Sequence, residues 1–159
     1  MNKRALLKAI LAALQDELQT YVRAAKSARA EATDPQSRAE NKYDTRGLEA
    51  SYLAAGQVRQ VMELEAAIAA FEALPVRKFG PEEGIGLGAV VELEQDGRRA
   101  FYFVGPSSGG TEVMCGKQEV LVITLQSPLG GQLQGRKQGE QLELNFGGKQ
   151  QRARVLTVI

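Results

Sequence analysis

Leu74-Pro75-Val76-Arg77-Lys78-Phe79-Gly80-Pro81 is the stretch on which the fold turns. Two prolines and a glycine within it stop a helix and punctuate a connection between two bodies. Composition changes abruptly across it. Residues 1–75 hold 18 alanines and two glycines, Gly47 and Gly56, whereas residues 76–159 hold three alanines and 15 glycines. Alanine is the best helix former, and glycine weakens helices and supplies turns. The chain therefore reads as α+β, with a helical domain over residues 1–75, a linker over Leu74–Pro81 and a turn-rich domain over residues 82–159.

Upstream of the linker, residues 3–32 carry Leu7, Leu11, Leu14, Leu18, Tyr21, Ala25 and Ala28 in a 4-3 alternation, the spacing of a coiled-coil seam. Thr33-Asp34-Pro35 interrupts it, because a proline disfavours the helical region for the residue before it. A second helix is predicted over residues 38–73, with Leu48, Tyr52, Ala55, Val58, Val61, Met62, Ile68 and Phe71 as its apolar positions. Two long helices joined by a short turn make an antiparallel coiled-coil hairpin. An arm of about 28 residues rises about 42 Å, which carries the turn at 33–40 far from any globular body.

Downstream, short β-rich runs alternate with turns. Gly88–Glu94 and Ala100–Val104 read as strands about the turn Gln95-Asp96-Gly97. Gly105–Gly110 is a loop and Val120–Thr124 a buried strand. Ser127-Pro128-Leu129 opens a short helix, with Ser as N-cap and Pro at the first helical position. Gln141–Phe146 and Arg152–Ile159 are strands joined through the turn Gly147-Gly148. The expected product is a mainly antiparallel sheet with one short helix.

Composition excludes much chemistry. The 159 residues contain no histidine, so Ser-His-Asp and Cys-His nucleophiles and His-ligated metals are absent. A single cysteine, Cys115, allows neither an internal disulfide nor a CxxC site, and a cytoplasmic protein fits this usage. Twenty basic side chains against 19 acidic ones give a net charge of +1, without the positive excess that a nucleic-acid or anionic-membrane binder needs. No membrane-spanning or targeting segment is expected: Lys8 interrupts the apolar run after Arg4, and Asp16 and Glu17 follow it. Gly84-Ile85-Gly86-Leu87-Gly88 lacks dinucleotide-fingerprint spacing, and Gly105-Pro106-Ser107-Ser108-Gly109-Gly110 has no P-loop lysine. Cys115 has Lys117 nearby but no base to activate it.

The predicted hairpin tip holds what chemistry remains. Glu31, Asp34, Glu40 and Asp44 stand there among Lys26, Arg29, Arg38, Lys42 and Arg46. Carboxylates can share a hard cation such as Mg²⁺. With no complete catalytic set on the chain, a carboxylate-bearing finger could donate its oxygens to the active site of another protein.

Ser127-Pro128-Leu129-Gly130, followed by Leu133, Gly135-Arg136-Lys137, Gly139-Glu140 and Leu142, resembles the SPLG…GK..GD pattern of the Gre (GreA/GreB-like) transcript cleavage factors. Glu40-Asn41 followed by Tyr43 resembles the ENxxY of that family's hairpin tip, with one residue fewer between Asn41 and Tyr43. The resemblance covers essentially the whole chain. It implies a bacterial transcription elongation factor with an FKBP-like C-terminal domain that docks on RNA polymerase at the mouth of the secondary channel, through Ser127, Pro128, Leu129 and Gly130. It implies that the hairpin brings its tip acids to the catalytic Mg²⁺ of the polymerase, which then hydrolyses backtracked RNA. The factor would have no cofactor of its own, would meet nascent RNA only indirectly and would not itself be an enzyme. The family has an acid three residues before the Glu of its EN pair, where this chain has Ser37. Glu40 therefore carries over, whereas its partner acid does not unless Asp34 or Asp44 substitutes from elsewhere in the turn; the sequence does not choose between them, and Glu40 and Asp34 are the candidate ligands to the Mg²⁺ shared with the polymerase.

Within this resemblance, stimulated cleavage and non-cleaving occupancy of the channel are both open. Peptidyl-prolyl isomerisation is a reading from a different class. It needs an apolar aromatic-lined pocket, for which this half offers Phe79, Phe101, Tyr102, Phe103 and Phe146. A protein that dimerises through its coiled coil is a third reading. The intramolecular hairpin should satisfy the seam, so a monomer is expected.

Overall fold

The computed structural model describes every residue except 34–45, 81 and 147; at 31, 32, 46–50, 146 and 149 only the backbone is described. Its elements run α1 (Lys3–Thr33), α2 (Arg46–Glu72), β1 (Val90–Gln95), β2 (Arg98–Val104), β3 (Glu112–Cys115), β4 (Gln118–Ile123), α3 (Pro128–Leu133), β5 (Gln141–Phe146) and β6 (Lys149–Val158). This is an α+β chain, a helix pair followed by a six-stranded, mostly antiparallel sheet. The predicted start of the second helix at residue 38 falls outside the described residues.

Two compact units form, Leu14–Ala69 and the set Met1–Ala13 with Ala70–Ile159. They differ from a division at Pro75. The first turns of α1 and the last turn of α2 belong with the sheet, where Leu6, Ile10 and Phe71 are fully buried. Asn2 starts α1 by accepting from the amides of Arg4 and Ala5 at 3.0 and 3.2 Å.

In the helical unit, Leu14 and Ala28 of α1 are buried and Leu18, Tyr21 and Ala25 half-buried, the stripe that the 4-3 spacing predicts. On α2 only part of the predicted stripe, Val61, Ile68 and Phe71, lies on the packed side. Leu64 and Ala67 are buried, and Gln57, Val61 and Ile68 are half-buried. Tyr52, Val58 and Met62 stand at 71%, 50% and 65% exposure. Residues 52, 55, 58 and 62 lie on one side of a 3.6-residue helix, and 57, 61, 64, 68 and 71 form a separate 4-3 row.

The sheet order is β3-β4-β2-β1-β6-β5. Its neighbours are antiparallel except β2 and β4, which run parallel with Phe103 opposite Val122. This arises because β4 inserts between β3 and β2. The four-residue β3, absent from the sequence reading, has only Val113 buried. Pairing Val90 with Phe103 and Val91 with Tyr102 puts alternate residues on opposite faces. One face carries Val91, Leu93, Tyr102, Val104, Val155 and Leu144, which pack with Leu129 and Leu133 of α3. On the other, Phe103 stacks with Phe71 at 6.2 Å between ring centroids. Gly105 makes room there, since a Cβ would lie 2.8 Å from Cζ of Phe71.

The Leu74–Pro81 connection is packed at its far end. Phe79 is buried in the sheet core, and the carbonyl of Arg77 accepts from the Lys3 ammonium at 2.6 Å.

Candidate functional site: the Ser127–Gly130 turn

Ser127 leaves β4 with extended backbone, φ −70° and ψ 154°, and caps α3. Its hydroxyl donates to the Thr124 carbonyl at 2.7 Å and accepts from the Gly130 amide at 3.1 Å. Its own amide also donates to Thr124, at 3.0 Å, so the turn closes on one carbonyl. Pro128 takes the first helical position, where its missing N–H leaves no donor unsatisfied. Leu129 is buried in the core with Leu133.

Gly130 has no space for a side chain. A Cβ there would lie 2.8 Å from the Thr124 carbonyl carbon and closer still to its oxygen. Of the four predicted docking residues, Ser127 is half-buried, Leu129 and Gly130 are buried, and Pro128 is exposed.

The rest of the motif is held by the same local geometry. Gly135 and Gly139 adopt φ of +76° and +87°, a region that favours glycine. Gly135 donates to the Ile85 carbonyl at 2.9 Å, and Ile85 donates to Arg136 at 2.8 Å. Gly84 is needed at this crossing, because a Cβ would meet the Gly135 backbone at 2.8–2.9 Å. Glu140 accepts from the Lys137 amide at 3.2 Å and pairs with Arg136 at 3.4 Å. Gln132 ties α3 to β5, accepting from the Asn145 amide at 2.8 Å. The glycines at 84, 86 and 88 thus serve the path into β1.

The predicted tip acids Asp34, Glu40 and Asp44 lie outside the described residues, as do Ser37, Asn41 and Tyr43. Among the described residues no three acidic or cysteine side chains gather as a cation site. No helix among them is long and apolar enough to cross a membrane. Tyr52, Val58 and Met62 of α2, expected among its packed apolar positions, form an exposed row instead. Its signal was present: two apolar rows on a helix that buries one.

No protein-family model matches the chain, and no curated protein does. Solved structures do. The chain is similar to GreA factor homolog 1 (Gfh1) of Thermus thermophilus, with 24% identity over 94% of each chain and a TM-score of 0.39. It is similar to Gfh1 of Thermus aquaticus, with 24% identity over 95% of this chain and 94% of that one and a TM-score of 0.39. It is similar to the prokaryotic transcription elongation factor GreA/GreB from Nitrosomonas europaea, with 22% identity over 62% of this chain and 78% of that one and a TM-score of 0.37.

Proposed function

We propose that this chain is a Gre-like regulator of transcription elongation that binds RNA polymerase and presents an acidic hairpin tip to its catalytic centre. The Ser127–Gly130 turn carries the reading. It combines the family-like motif with one exposed residue, Pro128, set on a rigid capped turn. A rigid apolar ring held clear of the core loses little conformational entropy when a partner covers it. The exposed Tyr52, Val58 and Met62 of α2 supply a second apolar surface for a protein partner.

At the tip, Glu40 with Asp34 or Asp44 would share the polymerase Mg²⁺ through carboxylate oxygens, the ligand type that ion favours. The chemistry that such an ion would supply there is the orientation of water for phosphodiester hydrolysis. The residues of this chain would hold the ion and leave the chemistry to the polymerase, so the protein stimulates an activity and has none alone. Channel occupancy without cleavage remains within this function and follows if Glu40 lacks a partner acid.

Backtracked elongation complexes with labelled RNA test the proposal. Shortened RNA with the native chain, lost with Glu40→Ala, supports cleavage. Loss with Asp34→Ala or with Asp44→Ala identifies the partner acid. Binding without shortening supports occupancy, and absence of polymerase binding refutes the proposal. Pro128→Glu should weaken polymerase binding while the far-ultraviolet circular dichroism stays native.

A further inference from the structure

Gln132 lies within α3 at a place that the family-like motif leaves open. Its side-chain amide makes three hydrogen bonds. Nε2 donates to the Pro128 carbonyl at 2.8 Å and to the Asn145 carbonyl at 3.3 Å, and Oε1 accepts from the Asn145 amide at 2.8 Å. Two carbonyls require a donor and one amide requires an acceptor, so the partners fix which way the side chain faces. β5 is an edge strand of the sheet. There Gln132 engages both backbone groups of Asn145, as a residue of a further strand would. Asn145 in turn accepts from the Gly148 amide through Oδ1 at 3.1 Å, which ties it to the turn between β5 and β6.

α3 has reason to need a brace. It has six residues, with Gly130 and Gly131 among them. Helices this short are marginal by themselves, and interior glycines weaken them further. Ser127 caps the Gly130 amide, and Leu129 and Leu133 anchor the helix in the core. The bond from Gln132 acts on Pro128 itself and joins it to the end of β5.

We propose that Gln132 is a positioning residue for docking: it fixes Pro128 against β5, so that the exposed ring already stands where a partner meets it. This rests on the reading of Pro128 as a polymerase contact. A ring held in place loses little freedom when it is covered. Without the brace, Pro128 samples several positions, and affinity falls by the fraction of them that can dock. Gln132 therefore acts through Pro128 and needs no contact with the partner.

Polymerase binding by the full chain tests this with Gln132→Met, which keeps the length and helix propensity of the side chain and removes all three bonds. Binding should weaken about fivefold, the scale of one or two neutral hydrogen bonds. Circular dichroism should stay native, and the Asn145 amide should exchange faster with solvent. In a Pro128→Ala background, which already lacks the ring, Gln132→Met should change binding less than about twofold, because the two residues act as one unit. A purely structural Gln132 would weaken both backgrounds alike. Gln132→Glu adds a pH profile. Its carboxylate accepts from the Asn145 amide but has no proton for the Pro128 carbonyl. Its deficit against the native chain should therefore shrink as the pH falls from about 7 towards about 5 and the acid form returns. Native-level binding by folded Gln132→Met, equal losses in both backgrounds, or a Gln132→Glu deficit independent of pH overturns the proposal and leaves Pro128 as a contact. Failure of the native chain to bind polymerase overturns both.

Discussion

Gly130→Ala and Gly131→Ala change neighbouring residues in the same way and should act in opposite directions. At Gly130 the new methyl would lie 2.8 Å from the Thr124 carbonyl carbon and 3.0 Å from the Ser127 hydroxyl oxygen. The obstruction includes backbone of the turn itself, so no side chain can swing aside. Relief requires opening the turn, which loses the Ser127 cap on the Gly130 amide. Overpacking costs about 1–3 kcal/mol, and loss of a serine cap adds about 1 kcal/mol. A destabilisation of about 2–4 kcal/mol follows. At Gly131 the methyl would meet only the Leu125 carbonyl oxygen, at 3.6 Å, an ordinary contact. Alanine there should stabilise by about 0.5–1 kcal/mol through the reduced freedom of the unfolded chain. Urea unfolding of the full chain, followed by a signal from the sheet, measures both. With a slope of about 2 kcal/mol per molar, Gly130→Ala should lower the midpoint by about 1–2 M, and Gly131→Ala should raise it slightly. Equal midpoints, or a Gly130→Ala variant within about 0.5 kcal/mol of native, would refute the close-approach account. The result also bears on function: weaker partner binding by Gly130→Ala would follow from a damaged turn and would not identify a contact.

Two further outcomes follow from buried groups. Phe71 is 1% exposed and stacked on Phe103, so Phe71→Ala should cost about 3–5 kcal/mol in denaturant unfolding, and a loss below about 1 kcal/mol would mean that the end of α2 contributes little to the sheet unit. Lys3, lowered from 10.5 to about 8, is disfavoured in its charged form in the folded chain, so the unfolded chain binds more protons between those values; its contribution to stability therefore rises with pH across that window, and the penalty is greatest below about pH 8. Urea unfolding from pH 7 to pH 10 should show this rise in the native chain and a flatter profile in Lys3→Met; identical slopes would remove Lys3 as its source.

Much of the fold is legible in particular residues. The leucines at 7, 11, 14 and 18 alternate by four and three, and that row is the buried or half-buried one. Pro128 after Ser127 gives the start of α3, because both residues suit only the outer turn of a helix. The packed side of the second helix is only partly legible, because alanine gives its two apolar rows little contrast. Tyr52, Val58 and Met62 look as core-like as Val61, Leu64 and Phe71, and only packing decides between them. Four-residue β3 was missed because its pattern buries a single side chain, too little for alternation to register. The parallel pairing of β2 and β4 depends on β4 inserting beside β2, a long-range choice that no local spacing encodes. Lys3, Arg4, Arg77 and Lys78 form two pairs more than seventy positions apart, so the cleft that they line emerges only from the fold.

The motif that points to a Gre-like protein is first a folding device. Ser127 caps, Gly130 permits close approach, and Leu129 and Leu133 fill the core. Gly135 and Gly139 take positive φ, and Glu140 fastens the turn between them. Each of these residues has a role in folding within the chain, so a partner need not account for every position of the pattern. A partner can add no constraint at positions that already have no freedom. It can select at Pro128, which the turn holds exposed, and, under the proposed function, at Asp34, Glu40 and Asp44. Under the proposed function, binding and cleavage are therefore separable by substitution. Pro128→Glu addresses the first and Glu40→Ala the second, and Pro128 is no part of the sheet core.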